Sequence, residues 1–347
     1  MAPSPPQTGQ RARGALLGLA LGDALGMPTQ GLPFEEVRAR YGPLLTQLHP
    51  APADHEIAAG LPAGRVTDDT DQALLLARLL LAGHGEVDQH RLAADLLAWE
   101  DAMRAAGSLD LLGPSTRRAL DAVAAGAPVG TSGRWGDTDG AAMRIAPFGI
   151  AHPLGQLGAF VQGVHRAGRV THDTGIAVAG AAAVAAAVSA AVDGADLAEA
   201  TDLAIEAAHL GATLGHHVGG ADVAARIGWA LDVVAEHRLD GGLELVDELV
   251  GTGVATQEAV PAAFAVLALT PDDPWLTVRA AASLGGDSDT IAAMAGAIAG
   301  ALHGADAFPA DATRQLLAAN PALADPGTGL TALADDLLAL RLGGTAR

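Results

Sequence analysis

The sequence contains no cysteine. This absence excludes disulfide bonds, thiolate nucleophiles and zinc sites with sulfur ligands. With 347 residues, the chain is long enough to bury a large hydrophobic core without crosslinks. Residues 1–10 lack the basic start and the apolar centre of a signal peptide, so we expect a disordered leader there and a cytoplasmic protein.

Aromatic and basic residues are also scarce. Aromatic residues make up 3% of the chain, and 20 basic side chains stand against 40 acidic ones, which gives a formal net charge of −20. This charge repels phosphate backbones, and few rings are available to stack on bases, so nucleic acid is not expected as a partner. The longest uncharged apolar run, residues 176–192, is mostly alanine and shorter than the ~20 residues that span a bilayer. We expect a buried helix there and no membrane association.

Apolar residues recur at helical spacing in nearly every segment, whereas the alternating pattern of strands is hard to find. No proline-, serine- or glycine-rich linker divides the chain, and no fixed period repeats. The sequence therefore predicts an all-α fold, a single-domain orthogonal helical bundle over residues 11–347. Helices are predicted at residues 11–26, 34–41, 70–82, 88–105, 115–125, 155–166, 174–192, 196–213, 220–237, 242–250, 256–269, 275–283, 289–304, 311–318 and 330–341.

Glycine recurs every fourth residue in two of the predicted helices. These glycines are Gly14, Gly18, Gly22 and Gly26 in the first helix, and Gly296, Gly300 and Gly304 near the end of the chain. Each interior glycine costs about 1 kcal/mol of helix stability relative to alanine, so close approach of two helices must offset the cost. We expect these helices to join the first and last thirds of the chain.

Two predicted helices begin with clusters of acidic residues, VTDDTDQ at residues 66–72 and GGDSDT at residues 285–290. N-capping and the helix dipole explain one carboxylate per helix. The clusters hold more than one each, and adjacent carboxylates repel unless a cation lies among them. Carboxylates and threonine hydroxyls suit Mg²⁺, Mn²⁺ or Ca²⁺ better than zinc. Simple capping and a shared metal site are both open at this point, because separation in sequence does not establish proximity.

Five motifs follow one another along the chain: GALLGLALGDALG at residues 14–26, TDDT at 67–70, DGAAMRIAP at 139–147, TH at 171–172 and GGDSDT at 285–290. In this order they closely resemble the motifs of the ADP-ribosylglycohydrolase family. The resemblance covers about residues 11–305. It implies an all-α fold with two Mg²⁺ ions at the floor of a cleft, Mn²⁺ being able to substitute, and cleavage of ADP-ribose from modified side chains or small derivatives.

The resemblance also implies a set of site residues. The expected metal ligands are Thr67, Asp68, Asp69, Asp287, Asp289 and Thr290. Asp69 and Asp289 are the candidates for accepting a proton from the attacking water. The loop expected to line the distal ribose and pyrophosphate consists of Gly136, Asp137, Thr138, Asp139 and Gly140, with His172 facing the same cleft. Backbone N–H groups near Gly285 and Gly286 are further candidates for contact with the pyrophosphate.

The chain departs from the family pattern at three positions. Gln30 stands where many relatives carry a glutamate, Leu111 stands beside Asp110 where some carry an aspartate, and Asp139 replaces a usual asparagine. The leaving group is therefore open. The first hypothesis is a Mg²⁺-dependent hydrolase that cleaves the N- or O-glycosidic bond at the distal ribose of an ADP-ribosylated protein or a small ADP-ribose-containing molecule. The alternatives are a nucleosidase or phosphatase on a small riboside, with the same two metals, and a non-catalytic ADP-ribose-binding relative.

Overall fold

The computed structural model describes residues 5–108 and 112–343, and the all-α prediction is confirmed. Within these residues no β-strand forms, and backbone pairing is limited to two isolated bridges. The α-helices are α1 (Pro5–Gly26), α2 (Phe34–Tyr41), α3 (Asp68–Ala82), α4 (Gln89–Ala105), α5 (Pro114–Ala124), α6 (Val129–Ser132), α7 (Gly140–Met143), α8 (Ala146–Ala151), α9 (Leu157–Gly168), α10 (Gly175–Val192), α11 (Leu197–Gly211), α12 (Val223–Val234), α13 (Leu239–Leu245), α14 (Thr256–Leu269), α15 (Pro274–Ala282), α16 (Ser288–His303), α17 (Ala310–Ala319) and α18 (Leu330–Arg341).

Each predicted helix is present, with ends that differ by a few residues. A π-helical turn, Val246–Val250, extends α13, so these two elements together occupy the segment predicted as one helix. Helix α1 begins at Pro5, so residues 5–10 are helical and the expected disordered leader is wrong for them. Proline is accommodated in a first turn because the N–H groups there have no partner within the helix.

Helices α1 and α16 pack backbone against backbone along their glycines, as predicted. A Cβ atom added to Gly14 would lie 2.1 Å from the carbonyl oxygen of Gly300, and one added to Gly18 would lie 2.0 Å from that of Gly296. No side chain larger than hydrogen fits at these distances. Gly304 has a different role, because its φ of +86° ends α16.

Helix α10 forms the centre of the core. By length and composition alone it could cross a membrane, but 94% of it is buried inside the protein. It packs against α8, α11 and α16, among others. The prediction of a buried helix at residues 176–192 is confirmed.

The site predicted from the sequence lies where several helices begin. The first turns of α3 and α16 lie near α7, and α10 begins just after residues 171–174 and also contacts α7. Amide groups at a helix start carry partial positive charge, so acidic side chains gather favourably there.

Candidate active site

A buried aspartate in α1 holds the start of α3. Both oxygens of Asp23 lie 3.0 Å from the backbone nitrogen of Thr67, and one lies 3.1 Å from the backbone nitrogen of Thr70. The hydroxyls of both threonines also donate to this carboxylate. Burial raises the pKa of Asp23 to about 6, although the hydrogen bonds lower it. Asp23 thus caps α3 from another helix and positions Thr67.

The start of α16 is held against the end of α1. A Cβ atom on Gly26 would lie 2.4 Å from the Cα atom of Asp289. The hydroxyl of Thr29 lies 2.9 Å from that of Ser288 and donates to the carbonyl of Ala282 at 2.7 Å. The last glycine of the α1 series therefore determines where Asp289 lies.

The two acidic helix starts converge. Oδ2 of Asp69 lies 3.2 Å from the hydroxyl of Thr67 at the start of its own helix and 3.5 Å from the hydroxyl of Thr290 on α16. Asp69 is completely buried and Asp289 is 3% exposed. Residues separated by 221 positions in the sequence thus meet in one site.

Asp139 and Asp287 form a carboxyl pair beside them. Burial raises the pKa of Asp139 to about 8, with the charges of Asp69 and Asp289 adding to the rise and a hydrogen bond to Asp287 opposing it. Burial, together with the charge of Asp139 and the same hydrogen bond, raises the pKa of Asp287 well above its ordinary value. Without a cation, this pair therefore retains a proton at neutral pH.

The acidic clusters do more than cap their helices. Thr67 and Asp287 occupy the N-cap positions of α3 and α16, and neither side chain makes a capping hydrogen bond. Oδ2 of Asp139 and Oδ2 of Asp287 are buried and receive no hydrogen bond from an amide, hydroxyl or basic group in the described segments.

The donor set suits hard divalent cations. It consists of carboxylate and hydroxyl oxygens, the ligands that Mg²⁺ and Mn²⁺ prefer. In the part of the chain that the structure describes, no three acidic or histidine side chains already surround one point at ligand distances. A cation would therefore draw the carboxylates closer together. The residues fit such an ion in the chemistry of their donor atoms.

The loop at residues 136–140 lies beside these carboxylates. The Gly136 carbonyl accepts a hydrogen bond from the Thr174 hydroxyl at 2.6 Å, and the Asp137 carbonyl accepts one from the Thr256 hydroxyl at 2.9 Å. The backbone nitrogen of Asp139 donates to the carbonyl of Val254 at 3.1 Å. These bonds fix the path of the loop, but they also occupy the Asp139 N–H group, which is therefore not available to a pyrophosphate.

Gly285 and Gly286 play a comparable structural role. Both have positive φ, +71° and +60°. The Gly286 nitrogen donates to the Leu32 carbonyl at 2.9 Å, and the Gly286 carbonyl accepts from Gly31 at 2.6 Å. The Gly286 N–H group is thus also occupied within the protein, and the turn itself delivers Asp287 to the site.

His172 lies against the loop, as predicted. Its Nε2 atom is 3.1 Å from the Thr138 hydroxyl, and a Cβ atom on Gly140 would lie 2.9 Å from its Cε1 atom. The ring is 1% exposed. Burial, with nearby arginine charges, lowers its pKa well below the ordinary value, so the imidazole is neutral.

A buried arginine behind the site was not predicted from the sequence. Arg144 is 1% exposed and donates to Gln72 at 2.8 Å and to Thr171. Gln72 in turn donates to Asp68 Oδ2 at 2.7 Å. The sequence signal that could have identified it is an isolated arginine within an apolar stretch. Arginine is rare in a protein core unless its charge has partners.

Gln30 is 6% exposed and lies beside the turn that precedes Asp287, because Gly31 is hydrogen-bonded to Gly286. Its Nε2 atom makes no hydrogen bond within the described residues. The other expected departure, at Leu111 and Asp110, lies outside the described residues.

Comparisons with known proteins agree with the motifs. A protein-family model described as ADP-ribosylglycohydrolase matches residues 4–346. The uncharacterised protein YegU of Escherichia coli (strain K12) is 37% identical over 313 residues, which cover 90% of this chain and 93% of that protein. Human ADP-ribosylhydrolase ARH3 is 31% identical over 341 residues, covering 86% of this chain and 87% of its own. A solved structure named ADP-ribosylglycohydrolase-related protein complex aligns with a TM-score of 0.66 and 28% sequence identity, over 97% of this chain and 99% of that one.

Proposed function

The chain belongs to the ADP-ribosylglycohydrolase family and is a glycosidic-bond hydrolase of that type, and on this premise we propose its cofactor and the bond that it cleaves. The proposed activity is Mg²⁺-dependent hydrolysis of the N- or O-glycosidic bond at the distal ribose of ADP-ribosylated proteins or small ADP-ribose derivatives. Mn²⁺ is expected to substitute for Mg²⁺.

One observation carries this proposal: the buried carboxylates of Asp69 and Asp289 lie in one site with the Thr290 hydroxyl. Their mutual repulsion calls for positive charge. The residues that would hold two cations are Thr67, Asp68, Asp69, Asp287, Asp289 and Thr290. When bound, such ions supply positive charge that can hold vicinal ribose hydroxyls and offset the negative field of the protein.

The side chains of the chain then have separate tasks. Asp69 and Asp289 are the proposed acceptors of the proton released by the attacking water, since both are carboxylates in the cluster. Their negative charge also stabilises the oxocarbenium-like transition state of glycosidic cleavage. The Thr138 hydroxyl and the neutral His172 ring, which lie within hydrogen-bond distance of each other, are the groups proposed to orient the ligand.

The activity is tested directly with ADP-ribose linked to arginine, to serine and through an O-acetyl ester. The protein is incubated with each substrate in Mg²⁺, in Mn²⁺ and with a chelator, and free ADP-ribose is measured. We expect release that requires the metal from at least one substrate. Release that is unaffected by the chelator, or no release from any substrate in either metal, would contradict the proposal.

The carboxylate roles are tested by substitution. We expect Asp69→Asn and Asp289→Asn each to lower kcat by about 100-fold or more, because general acid–base catalysis contributes about 10²–10⁴-fold. Asp71→Asn is the matched control. Asp71 lies in the same first turn of α3 but accepts a hydrogen bond from Trp99 at 2.9 Å, and asparagine keeps an acceptor oxygen there. If all three variants lose activity equally, the assignment of Asp69 is wrong.

Gln30 favours a second candidate. The family resemblance leads us to expect glutamate at this position, and a buried amide can act neither as a general acid nor as a general base, which suits a substrate that needs no proton transfer there. A nucleosidase or phosphatase on a small riboside would use the same metals. Screening nucleosides and ADP-ribose 1″-phosphate tests it: product from these alone supports this candidate over the first, and no product removes it.

A further inference from the structure

Arg144 is the largest completely enclosed polar side chain in the described segments, at 1% exposure. Burial lowers the pKa of its guanidinium to about 10, so it remains charged at neutral pH. Its two hydrogen-bond acceptors are neutral, the amide oxygen of Gln72 and the hydroxyl of Thr171. A buried charge is costly unless it is paired and hydrogen-bonded, and the negative charge of Asp68 opposes the effect of burial by raising the pKa of Arg144. Arg144 is the C-cap residue of α7, and its two hydrogen bonds connect it to α3 through Gln72 and to the segment before α10 through Thr171.

Arg144 is linked to the Asp68 carboxylate through Gln72. Arg144 donates to Gln72 Oε1 at 2.8 Å, which fixes the orientation of the amide because a guanidinium cannot accept a hydrogen bond. The Nε2 group of the amide therefore points the other way, and it donates to Asp68 Oδ2 at 2.7 Å. Arg144 thus holds the Asp68 carboxylate in place through one fully buried side chain.

Arg144 is linked to the His172 ring through Thr171. Its hydroxyl accepts from Arg144, so its own proton must go to another acceptor. The nearer of two acceptors is His172 Nδ1 at 2.8 Å, against the Gly168 carbonyl at 3.3 Å. Nδ1 of the neutral ring is then an acceptor, and the ring proton is on Nε2.

The direction of donation continues to the loop. Nε2 of His172 donates to the Thr138 hydroxyl at 3.1 Å. The hydroxyl proton of Thr138 is thereby left to donate onward, to an acceptor oxygen in the cleft. The chain of donors runs from Arg144 through Thr171 and His172 to Thr138.

We propose that Arg144 is a positioning residue that fixes the Asp68 carboxylate through Gln72 and, through Thr171 and His172, makes the Thr138 hydroxyl a donor to a ligand oxygen. The identity of that oxygen, a ribose or pyrophosphate oxygen of an ADP-ribosyl group, rests on the proposed function. The hydrogen-bond directions do not depend on it.

The direction of donation is tested by nitrogen NMR of histidine-labelled full-length protein. The His172 signals are assigned by their absence in His172→Gln. We expect the wild-type ring to be the Nε2–H tautomer, and Thr171→Val to shift it toward Nδ1–H, because valine removes the donor to Nδ1 with almost no change of shape. Arg144→Met is expected to give a mixture of tautomers, since the Thr171 hydroxyl is then free to rotate.

Arg118→Met is the matched control. This exposed arginine lies near enough to affect the charge environment of His172, but it donates a hydrogen bond to the Trp135 carbonyl, so its removal should not change the tautomer.

Kinetics and metal titration separate the effect of Arg144 through Gln72 from its effect through Thr171. Gln72→Met should raise the Mn²⁺ concentration needed for half-saturation about 10-fold, in line with other groups that support a metal ligand, and should leave KM largely unchanged. Thr171→Val should raise KM by about 5- to 10-fold with a smaller effect on kcat, the loss expected for one hydrogen bond. Arg144→Met should show both defects.

These measurements separate two kinds of failure. If the protein shows no hydrolysis, Mn²⁺ binding by calorimetry and the NMR tautomer still decide the role of Arg144. A wild-type Nδ1–H tautomer would overturn the positioning role even in an active enzyme. The same holds if Gln72→Met and Thr171→Val each weaken Mn²⁺ binding and also raise KM.

Discussion

At the scale of single residues, Asp139 shows how a departure from the family pattern is accommodated. The family resemblance leads us to expect asparagine here, and an ionised carboxylate would place one more negative charge beside Asp69 and Asp289. Burial raises the pKa of Asp139 to about 8, so at neutral pH and without a cation it is largely protonated and isosteric with asparagine. It also shares a hydrogen bond with Asp287.

This gives a pH-dependent prediction for the metal-free protein. Between the ordinary pKa of 3.8 and the folded value of about 8, the folded protein holds a proton that the unfolded chain has released. Rising pH in that window therefore lowers the free energy of unfolding, by up to about 1.4 kcal/mol per pH unit. Asp139→Asn removes this contribution, so the stability of the variant relative to wild type should rise from about pH 4 to about pH 8 and then level off. Urea unfolding in the presence of a chelator, repeated across this pH range, measures the free energy of unfolding of both proteins. Asp54→Asn, at an exposed position, is the control. An advantage that is the same at every pH would show that Asp139 is ionised throughout.

At the scale of helices, the glycine series of α1 and α16 determines the site. The contact lets Gly26 abut Asp289 at the point where Asp23 caps α3, so a single packing surface positions both acidic starts. This contact could be predicted from the sequence because glycines spaced by four residues line one face of a helix and are typical of close helix–helix packing.

The contact predicts opposite effects for two similar substitutions in α1. Gly18→Ala would place a Cβ atom 2.0 Å from the Gly296 carbonyl, whereas Gly9→Ala meets nothing within 4 Å. We expect Gly18→Ala to destabilise the fold by about 2 kcal/mol or more through overpacking, and to lower activity by displacing α16. Gly9→Ala should be neutral or stabilising by up to about 1 kcal/mol. Thermal unfolding of both variants tests this prediction. Equal unfolding midpoints for Gly18→Ala and Gly9→Ala would mean that the helices do not pack this closely.

Other elements could not be predicted from the sequence. Helices α6, α7 and α8 are four to six residues long, too short for apolar periodicity to register, and all three were missed. Arg144 was missed with them, because its role depends on partners in α3 and before α10 that no local pattern brings together. The motifs identified which residues matter, whereas their distances follow from tertiary packing.

At the scale of the whole molecule, a net charge of −20 disfavours the compact state, and a cation that binds the folded protein selectively offsets part of this repulsion. We expect Mg²⁺ or Mn²⁺ to raise the thermal midpoint of the wild type, because a ligand that binds only the folded state stabilises it. KCl at matched ionic strength controls for general screening. Asp69→Asn and Asp289→Asn should lose the divalent-specific part of the shift, and a shift that survives in both variants would locate the binding elsewhere.

The proposal that the starts of α3 and α16 together form a divalent-cation site is open to one decisive measurement, anomalous diffraction from a crystal soaked in Mn²⁺ and ADP-ribose. We expect two anomalous peaks, each at about 2–2.3 Å from carboxylate oxygens that include those of Asp69 and Asp289, with the ribose hydroxyls of the ligand alongside. An absence of peaks at saturating Mn²⁺, or peaks only at other surface carboxylates, would contradict it.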